Sequence, residues 1–118
     1  MAKISRVRGA TYEREVANEI FDALGVRIKR NLKQYQQKDE GDLILGDYLI
    51  ECKRRRKIAV YEFMAQADAS CEHGQTPIVI MRADGEKSLA VMHLPDLLKL
   101  LREEIPPDSE QDSPQGED

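Results

Sequence analysis

Apolar and polar positions follow two different periods along the chain, and these periods predict its helices and strands. Residues 9–25 (GATYEREVANEIFDALG) space their apolar side chains as a helix does, and Gly25 is typical of a helix end. The predicted apolar stripe of this helix consists of Val16, Ala17, Ile20, Ala23 and Leu24. Glu13 precedes Val16 and Ala17 by three and four residues and therefore continues the stripe. An acid on the buried face of a helix needs an explanation.

After the first helix, the pattern predicts three strands, then a helix, two more strands and a last helix. Alternation predicts a strand at residues 26–30, while residues 31–40 are polar, aperiodic and predicted to form a loop. Residues 42–45 (DLIL) and 48–53 (YLIECK) read as two strands, and Gly46-Asp47 between them suits a two-residue type II′ hairpin turn. The next predicted elements are a helix at 60–74, two strands within 77–94 joined by an Ala-Asp-Gly-Glu turn, and a short helix at 95–104.

This order, α-β-β-β-α-β-β-α, predicts an α/β fold in which helices flank a mixed sheet. A chain of 118 residues allows one domain, which we place at residues 1–104. Residues 105–118 are acidic and lack apolar anchors, so we expect a disordered tail. The basic start of the chain lacks a following apolar segment, and no run is long enough to span a bilayer. We therefore expect an intracellular, cytoplasmic protein without a membrane partner.

The net charge of −4 conceals an uneven distribution of charge. Residues 1–57 hold 14 Lys and Arg against 9 Asp and Glu, whereas residues 58–118 hold 4 against 13. A basic half of this kind suggests a polyanionic partner, although a solvated charged surface is the simpler explanation for any single charged run. The two cysteines have neither the spacing of a zinc site nor that of a disulfide framework.

The predicted hairpin brings two acids together. If Gly46 and Asp47 are its loop residues, Asp42 lies directly opposite Glu51, and Lys53 shares their face of the sheet. Opposed carboxylates destabilise a hairpin unless a cation lies between them or one takes up a proton. A hard divalent cation such as Mg²⁺ suits this arrangement, and an ordinary ion-pair cluster with Lys53 is an equally good explanation of the hairpin alone. The inward-facing Glu13 favours the metal site, because buried acids are rare unless paired or metal-bound.

These residues resemble the PD-(D/E)xK nucleases, and most of all the archaeal-type Holliday junction resolvases, including phage-borne versions. The likeness begins at the first helix with Gly9, Glu13, Arg14 and Glu15, and continues with Arg30 at a strand end, Asp42 at a strand start and Glu51-x-Lys53. Two departures stand out. Gly41 replaces the Pro of the motif, and the loop after Arg30, usually rich in Gly and Ser, reads NLKQYQQKDE.

The resemblance implies a restriction-endonuclease-like core and assigns roles to single residues. Glu13, Asp42 and Glu51 would bind Mg²⁺, with Mn²⁺ as a substitute, and Lys53 would orient or deprotonate the attacking water. Gln66 on the second helix would support this site, although a surface amide is nearly as good an explanation. The basic residues predicted to contact DNA phosphates are Arg6, Arg8, Arg30, Lys33, Arg54, Arg55, Arg56 and Lys57.

The resulting hypothesis is a metal-dependent endonuclease that resolves Holliday junctions as a homodimer, since symmetric cutting needs two sites related by a two-fold axis. One alternative is a phage or repair nuclease that acts on duplex, flap or single-stranded DNA. Another is a DNA-binding module with the same fold and no catalysis, which the retained set of acids and Lys53 disfavours.

Overall fold

A computed structural model describes residues 2–30 and 42–109 of the chain, with the side chains of residues 11–28 and 43–109. The elements follow the order α1 (Ala2–Leu24), β1 (Lys29–Arg30), β2 (Asp42–Leu45), β3 (Tyr48–Arg55), α2 (Val60–Ser70), β4 (Thr76–Ala83), β5 (Leu89–Val91) and α3 (Leu94–Glu104). The predicted order of elements is therefore confirmed, and so is the α/β class.

Within residues 2–30 and 42–109, five strands form one mixed sheet in the order β1-β2-β3-β4-β5. The pairs β1–β2, β2–β3 and β4–β5 are antiparallel, whereas β3 and β4 are parallel. The crossover between the two parallel strands contains α2, as a parallel pair requires. The most central strand, β3, thus has an antiparallel neighbour on one side and a parallel neighbour on the other.

The β2–β3 hairpin has the predicted register. Asp42 pairs with Glu51 and Leu45 with Tyr48, so Gly46 and Asp47 form the turn. Gly46 has a φ of +60°, and no non-glycine residue of the described chain has a positive φ. Positive φ at the first turn residue alone is the signature of type II′, which glycine adopts without steric cost.

Two helices cover opposite faces of the sheet, because side chains alternate along each strand. α1 packs against β2 and β3, where Tyr12 and Val16 meet Leu43, Ile50 and Cys52. α2 packs against β3 and β4, and its cluster of buried residues consists of Phe63, Met64, Ala67, Val79 and Met81. Cys52 therefore lies in the apolar core, as expected.

The start of α1 differs from the prediction, whereas its predicted end at Gly25 is confirmed. The helix begins at Ala2, seven residues before the predicted start at Gly9, because the preceding segment is rich in helix-forming Ala, Lys and Arg and a single interior glycine costs only about 1 kcal/mol. It ends before Gly25, whose φ of +72° is that of a helix-terminating glycine. Its apolar stripe is shorter than predicted, since Ala23 and Leu24 are exposed.

Two other predicted ends are wrong. The strand predicted at residues 26–30 is reduced to Lys29–Arg30, which pair with Ile44 and Leu43. α2 ends at Ser70 instead of continuing to Gly74, because the backbone of Cys71 is extended. A local turn follows, in which the backbone N–H of Glu72 donates to the side-chain carbonyl of Gln75 at 2.8 Å.

The last elements agree with the prediction. A turn joins β4 and β5, and the N–H of Glu86 donates to the carbonyl of Ala83 at 3.0 Å. Pro95 lies in the first turn of α3, where its missing N–H is tolerated. The predicted tail begins at Ile105, and its residues 110–118 lie outside the described part. No helix in the described ranges is long and apolar enough to cross a membrane.

Candidate active site

Glu51 and Lys53 form a buried ion pair on β3. Both side chains point to the face that α2 covers, and they are 4 % and 0 % exposed. Lys53 Nζ lies 3.4 Å from Glu51 Oε2 and 5.4 Å from the centre of the Phe63 ring on α2. Transferring an ion from water to a protein interior costs several kcal/mol, which the partner charge and the electron-rich ring face offset. The strand thus holds a lysine and a carboxylate in fixed contact.

Asp42 occupies the position that the register predicts. Its Cα pairs with that of Glu51 across the antiparallel β2–β3 ladder. Directly opposite residues of such a pair place their Cβ atoms about 4.5–5.5 Å apart on the same face. The side chain of Asp42 lies outside the described residues, so the structure gives only the position of its backbone in the sheet.

Glu13 is buried, as the helical stripe predicts. It is 5 % exposed on α1, one position after Tyr12 and one turn before Val16. Its neighbours Arg14 and Glu15 point to solvent. Glu13 and Glu51, both buried in the same small domain, are therefore two acids that the fold withdraws from water.

A clasp that the sequence did not reveal holds the turn of α1 that carries Glu13. The Tyr12 hydroxyl lies 2.6 Å from Ser88 Oγ, a hydrogen bond between positions 76 residues apart in the chain. Arg82 on β4 lies over the Tyr12 ring at 5.3 Å and 3.6 Å from the carboxylate of Glu15. Burial raises the pKa of Tyr12, while its hydrogen bond to Ser88 acts in the opposite direction. Only the tertiary fold brings these four residues together.

The donor set fits a hard divalent cation. Mg²⁺ and Mn²⁺ prefer carboxylate oxygens and water, and the predicted ligands Glu13, Asp42 and Glu51 supply only such oxygens. Among the side chains that the structure describes, no group of three or more His, Cys, Asp or Glu could hold a metal ion. The side chains of Glu13 and Glu51 are among those that the structure describes, whereas the side chain of Asp42 is not.

The side chains of the basic run after Glu51 become progressively more exposed along the chain. Lys53 is buried, Arg54 and Arg55 are half-buried, and Arg56 and Lys57 are exposed. Arg54 Nε lies 3.6 Å from the carboxylate of Asp84 in the β4–β5 turn, and Arg55 lies 5.9 Å from the Phe63 ring centre. The charge of the run therefore lies beside the Lys53 end of β3.

The other predicted residues occupy separate places. Gln66 is exposed on α2, the helix that covers the face of Glu51 and Lys53. Arg6 and Arg8 lie in the first turns of α1, and Arg30 lies in β1 opposite Leu43; their side chains are outside the described residues. Lys33 also falls outside them. His93, predicted to be structural, lies 3.0 Å from the Asp68 carboxylate and links α3 to α2.

The comparison with protein families found a match. A model of the family described as "Phage putative PDDEXK endonuclease" matches residues 4–112, which is most of the chain and includes every strand that the structure describes. No curated protein and no solved structure matches the chain. The mixed sheet, the flanking helices and the Glu51-x-Lys53 strand agree with a restriction-endonuclease-like core. The chain belongs to the phage PDDEXK endonuclease family, which indicates a nuclease.

Proposed function

We propose that the protein is a metal-dependent endonuclease that hydrolyses phosphodiester bonds in DNA, and that it prefers branched DNA such as a Holliday junction. The observation that carries the nuclease proposal is the buried pair of Glu51 and Lys53 on a strand where Glu51 lies opposite Asp42. A stabilising ion pair alone would not require the second, opposed acid. Membership of a family of PDDEXK endonucleases supports the same activity.

Glu13, Asp42 and Glu51 are the residues that would hold the metal. When bound, Mg²⁺ or Mn²⁺ supplies positive charge that offsets the charge developing on the phosphate and favours water as the nucleophile. Glu51 would then have two roles, because its other contact fixes Lys53. A lysine held in one position can orient the attacking water and exchange a proton with it, which typically contributes 10²–10⁴-fold to a rate.

The enclosed position of Lys53 supports this role. Its ammonium group has a carboxylate on one side and the Phe63 ring nearby, and no part of its side chain reaches bulk solvent. A solvated lysine samples many rotamers, whereas a general base must be within hydrogen-bonding reach of its proton. Gln66 on α2 remains a predicted supporting residue.

The exposed end of the basic run would bind the DNA backbone. Arg56 and Lys57 follow β3 directly and are free to contact phosphates, which fix the register of DNA without reading its sequence. Arg6, Arg8, Arg30 and Lys33 are further predicted contacts. The preference for junctions rests on the resemblance of the helix and strand motifs to the resolvases, and a two-fold homodimer is part of that preference.

The experiment is cleavage of a labelled four-way junction beside matched duplex, flap and single-stranded DNA, in Mg²⁺, Mn²⁺ and EDTA. We expect paired nicks in the junction that EDTA, Asp42→Asn and Lys53→Ala abolish. Asp47→Asn, which removes an exposed acid from the turn of the same hairpin, should retain activity. Cutting of duplex, flap or single-stranded DNA without cutting of the junction would support the nuclease activity and contradict the preference for junctions. Absence of cutting with DNA still bound would favour the non-catalytic module.

A further inference from the structure

A cavity of about 650 Å³ lies at the carboxyl end of the parallel strands β3 and β4. Its apolar walls come from Ile58 before α2, Val60 at the start of α2, Met81 on β4 and Leu89 on β5. The volume is within the range of small-molecule sites, about 300–1,000 Å³. Among the described strands, β3 and β4 are the pair that runs parallel, and the cavity lies at their carboxyl end. The cavity thus has the size of a binding site.

The floor of the cavity adjoins the candidate active site. Met81 pairs with Lys53 across the β3–β4 ladder, and both side chains point to the face covered by α2. Neighbouring strands are about 4.8 Å apart. A ligand that contacts Met81 is therefore one strand away from the lysine assigned to the attacking water.

The basic run leads from the active site to the same cavity. Arg56 and Lys57 are exposed and immediately precede the wall residue Ile58. The ion pair between Arg54 and Asp84 joins the run to the β4–β5 turn, which forms another part of the wall. A DNA strand whose phosphates contact Arg56 and Lys57 would therefore lie next to Ile58, a wall residue of the cavity.

We propose that this cavity receives one unstacked base of the DNA strand that is cut. The aliphatic side chains would contact the faces of the base, while Glu86 and Lys87 at the turn can accept hydrogen bonds from its edge and donate to it. The inference rests on the proposed nuclease function and narrows its substrate. Extruding a base costs least where the base is unpaired, so the preferred DNA carries an unpaired or easily unpaired nucleotide beside the cut.

The walls predict a distinctive spectroscopic signal. Among the residues that line the cavity in the described chain, none carries an aromatic ring. The fluorescence of 2-aminopurine, an adenine analogue, is quenched by stacking on bases or aromatic rings and rises when the base is unstacked. A base held between aliphatic side chains should therefore fluoresce strongly.

The experiment places 2-aminopurine at successive positions around the branch point of the junction and in the flap. Fluorescence is recorded with the full-length protein in EDTA, where no cleavage occurs. We expect a rise of several-fold at one position close to the cut. An abasic site at that position should weaken binding roughly tenfold, which corresponds to about 1.4 kcal/mol.

Leu89→Asp tests the cavity without opening the core, because Leu89 is 59 % exposed. The matched control is Leu98→Asp on α3, where the leucine is 51 % exposed and does not line the cavity. Leu89→Asp should reduce the fluorescence to that of free DNA and remove the preference for the base over the abasic site. Leu98→Asp should leave both unchanged. Circular dichroism of both variants checks that they fold.

The outcomes separate the two proposals. DNA that is cut in Mg²⁺ without a fluorescence rise at any position would overturn the base subsite and leave the nuclease in place. A rise that survives Leu89→Asp would show that the base lies elsewhere and would also overturn the subsite. DNA that is neither bound nor cut would overturn both proposals.

Discussion

The two faces of β3 are equally buried and chemically opposite. On the face covered by α1, Ile50 and Cys52 are 2 % and 4 % exposed; on the face covered by α2, Glu51 and Lys53 are 4 % and 0 % exposed. From Ile50 to Lys53 an apolar residue alternates with a charged one, and both kinds are withdrawn from water. Burial by itself therefore does not distinguish the core from the candidate site.

The difference lies in what each face contributes to stability. Burying an aliphatic side chain stabilises a protein by about 1.5–3 kcal/mol, whereas a buried ion pair often contributes less than apolar residues of similar size. The Glu51–Lys53 pair is therefore poorly explained by stability alone. The proposed reaction supplies the reason that a strand in the centre of the sheet retains it.

The largest expected effect is a loss of DNA cleavage when the charged residues on the α2 face of β3 are replaced by apolar ones. In the double variant Glu51→Leu, Lys53→Met, both charges leave together, so no unpaired ion stays buried. We expect DNA cleavage to fall by at least about 10²–10⁴-fold. The free energy of unfolding should be unchanged or higher, by up to about 4 kcal/mol. Urea denaturation and a cleavage assay on the same preparation measure the two quantities.

The single variant Lys53→Met is the control for that result. It leaves the Glu51 charge in the core and should lower the free energy of unfolding by about 3–5 kcal/mol. If the double variant were also strongly destabilised, the pair would be a structural element, and the contrast between the two faces would be lost.

The opposite face should show the reverse behaviour. Ile50→Ala removes a side chain that packs against Tyr12 and Val16, and it should cost about 2–5 kcal/mol of stability because a cavity remains. Its cleavage rate, measured well below the unfolding temperature, should stay within a few-fold of the wild type. Ile50→Val, expected to cost about 0.5–1.5 kcal/mol, provides the graded control. A loss of activity as large as that of the double variant would contradict the division between the faces.

The contrast between the faces of β3 could be predicted from the sequence, because it depends on local rules. The Gly46-Asp47 turn fixes the hairpin register, and alternation then assigns Glu51 and Lys53 to one face and Cys52 to the other. The position of Glu13 likewise followed from helical spacing. The end of α1 at Gly25 was also predicted, whereas the start of α1 and the end of α2 were not, because the helix-forming segment before Gly9 and the extended backbone of Cys71 do not show in the apolar period.

Contacts between distant segments could not be predicted in this way. Nothing at Tyr12 indicates a hydrogen bond to Ser88, and nothing at Arg54 indicates an ion pair with Asp84. The cavity beside Met81 is also invisible to local patterns, because its walls come from β4, β5 and the start of α2. These features depend on which segments the sheet order makes neighbours.

Metal binding should stabilise the folded protein through the acids of the candidate site. A ligand that binds the folded state alone adds about 2.7 kcal/mol to stability at a concentration 100 times its Kd. We expect Mg²⁺ or Mn²⁺ to raise the unfolding temperature of the wild type, and Glu51→Gln to abolish that rise. Glu15→Gln, which changes an exposed acid near Glu13 on the same helix, should retain it. Differential scanning fluorimetry in Mg²⁺ and EDTA measures the shift, and an equal rise in Glu51→Gln would place the metal elsewhere.

The smallest expected effect concerns the clasp of α1 on the apolar face. Tyr12→Phe removes the hydrogen bond to Ser88 and should cost about 1 kcal/mol at neutral pH. Burial raises the pKa of Tyr12, so the folded protein keeps the phenol proton at alkaline pH values where the unfolded chain releases it. This contribution is complete below the unfolded pKa of about 10 and is lost as the pH rises towards the higher folded pKa.

The stability curves of wild type and Tyr12→Phe should therefore converge above pH 10, whereas Tyr61→Phe, at a side chain 91 % exposed, should follow the wild type. Parallel curves would mean that the Tyr12 hydroxyl titrates equally in the folded and unfolded states.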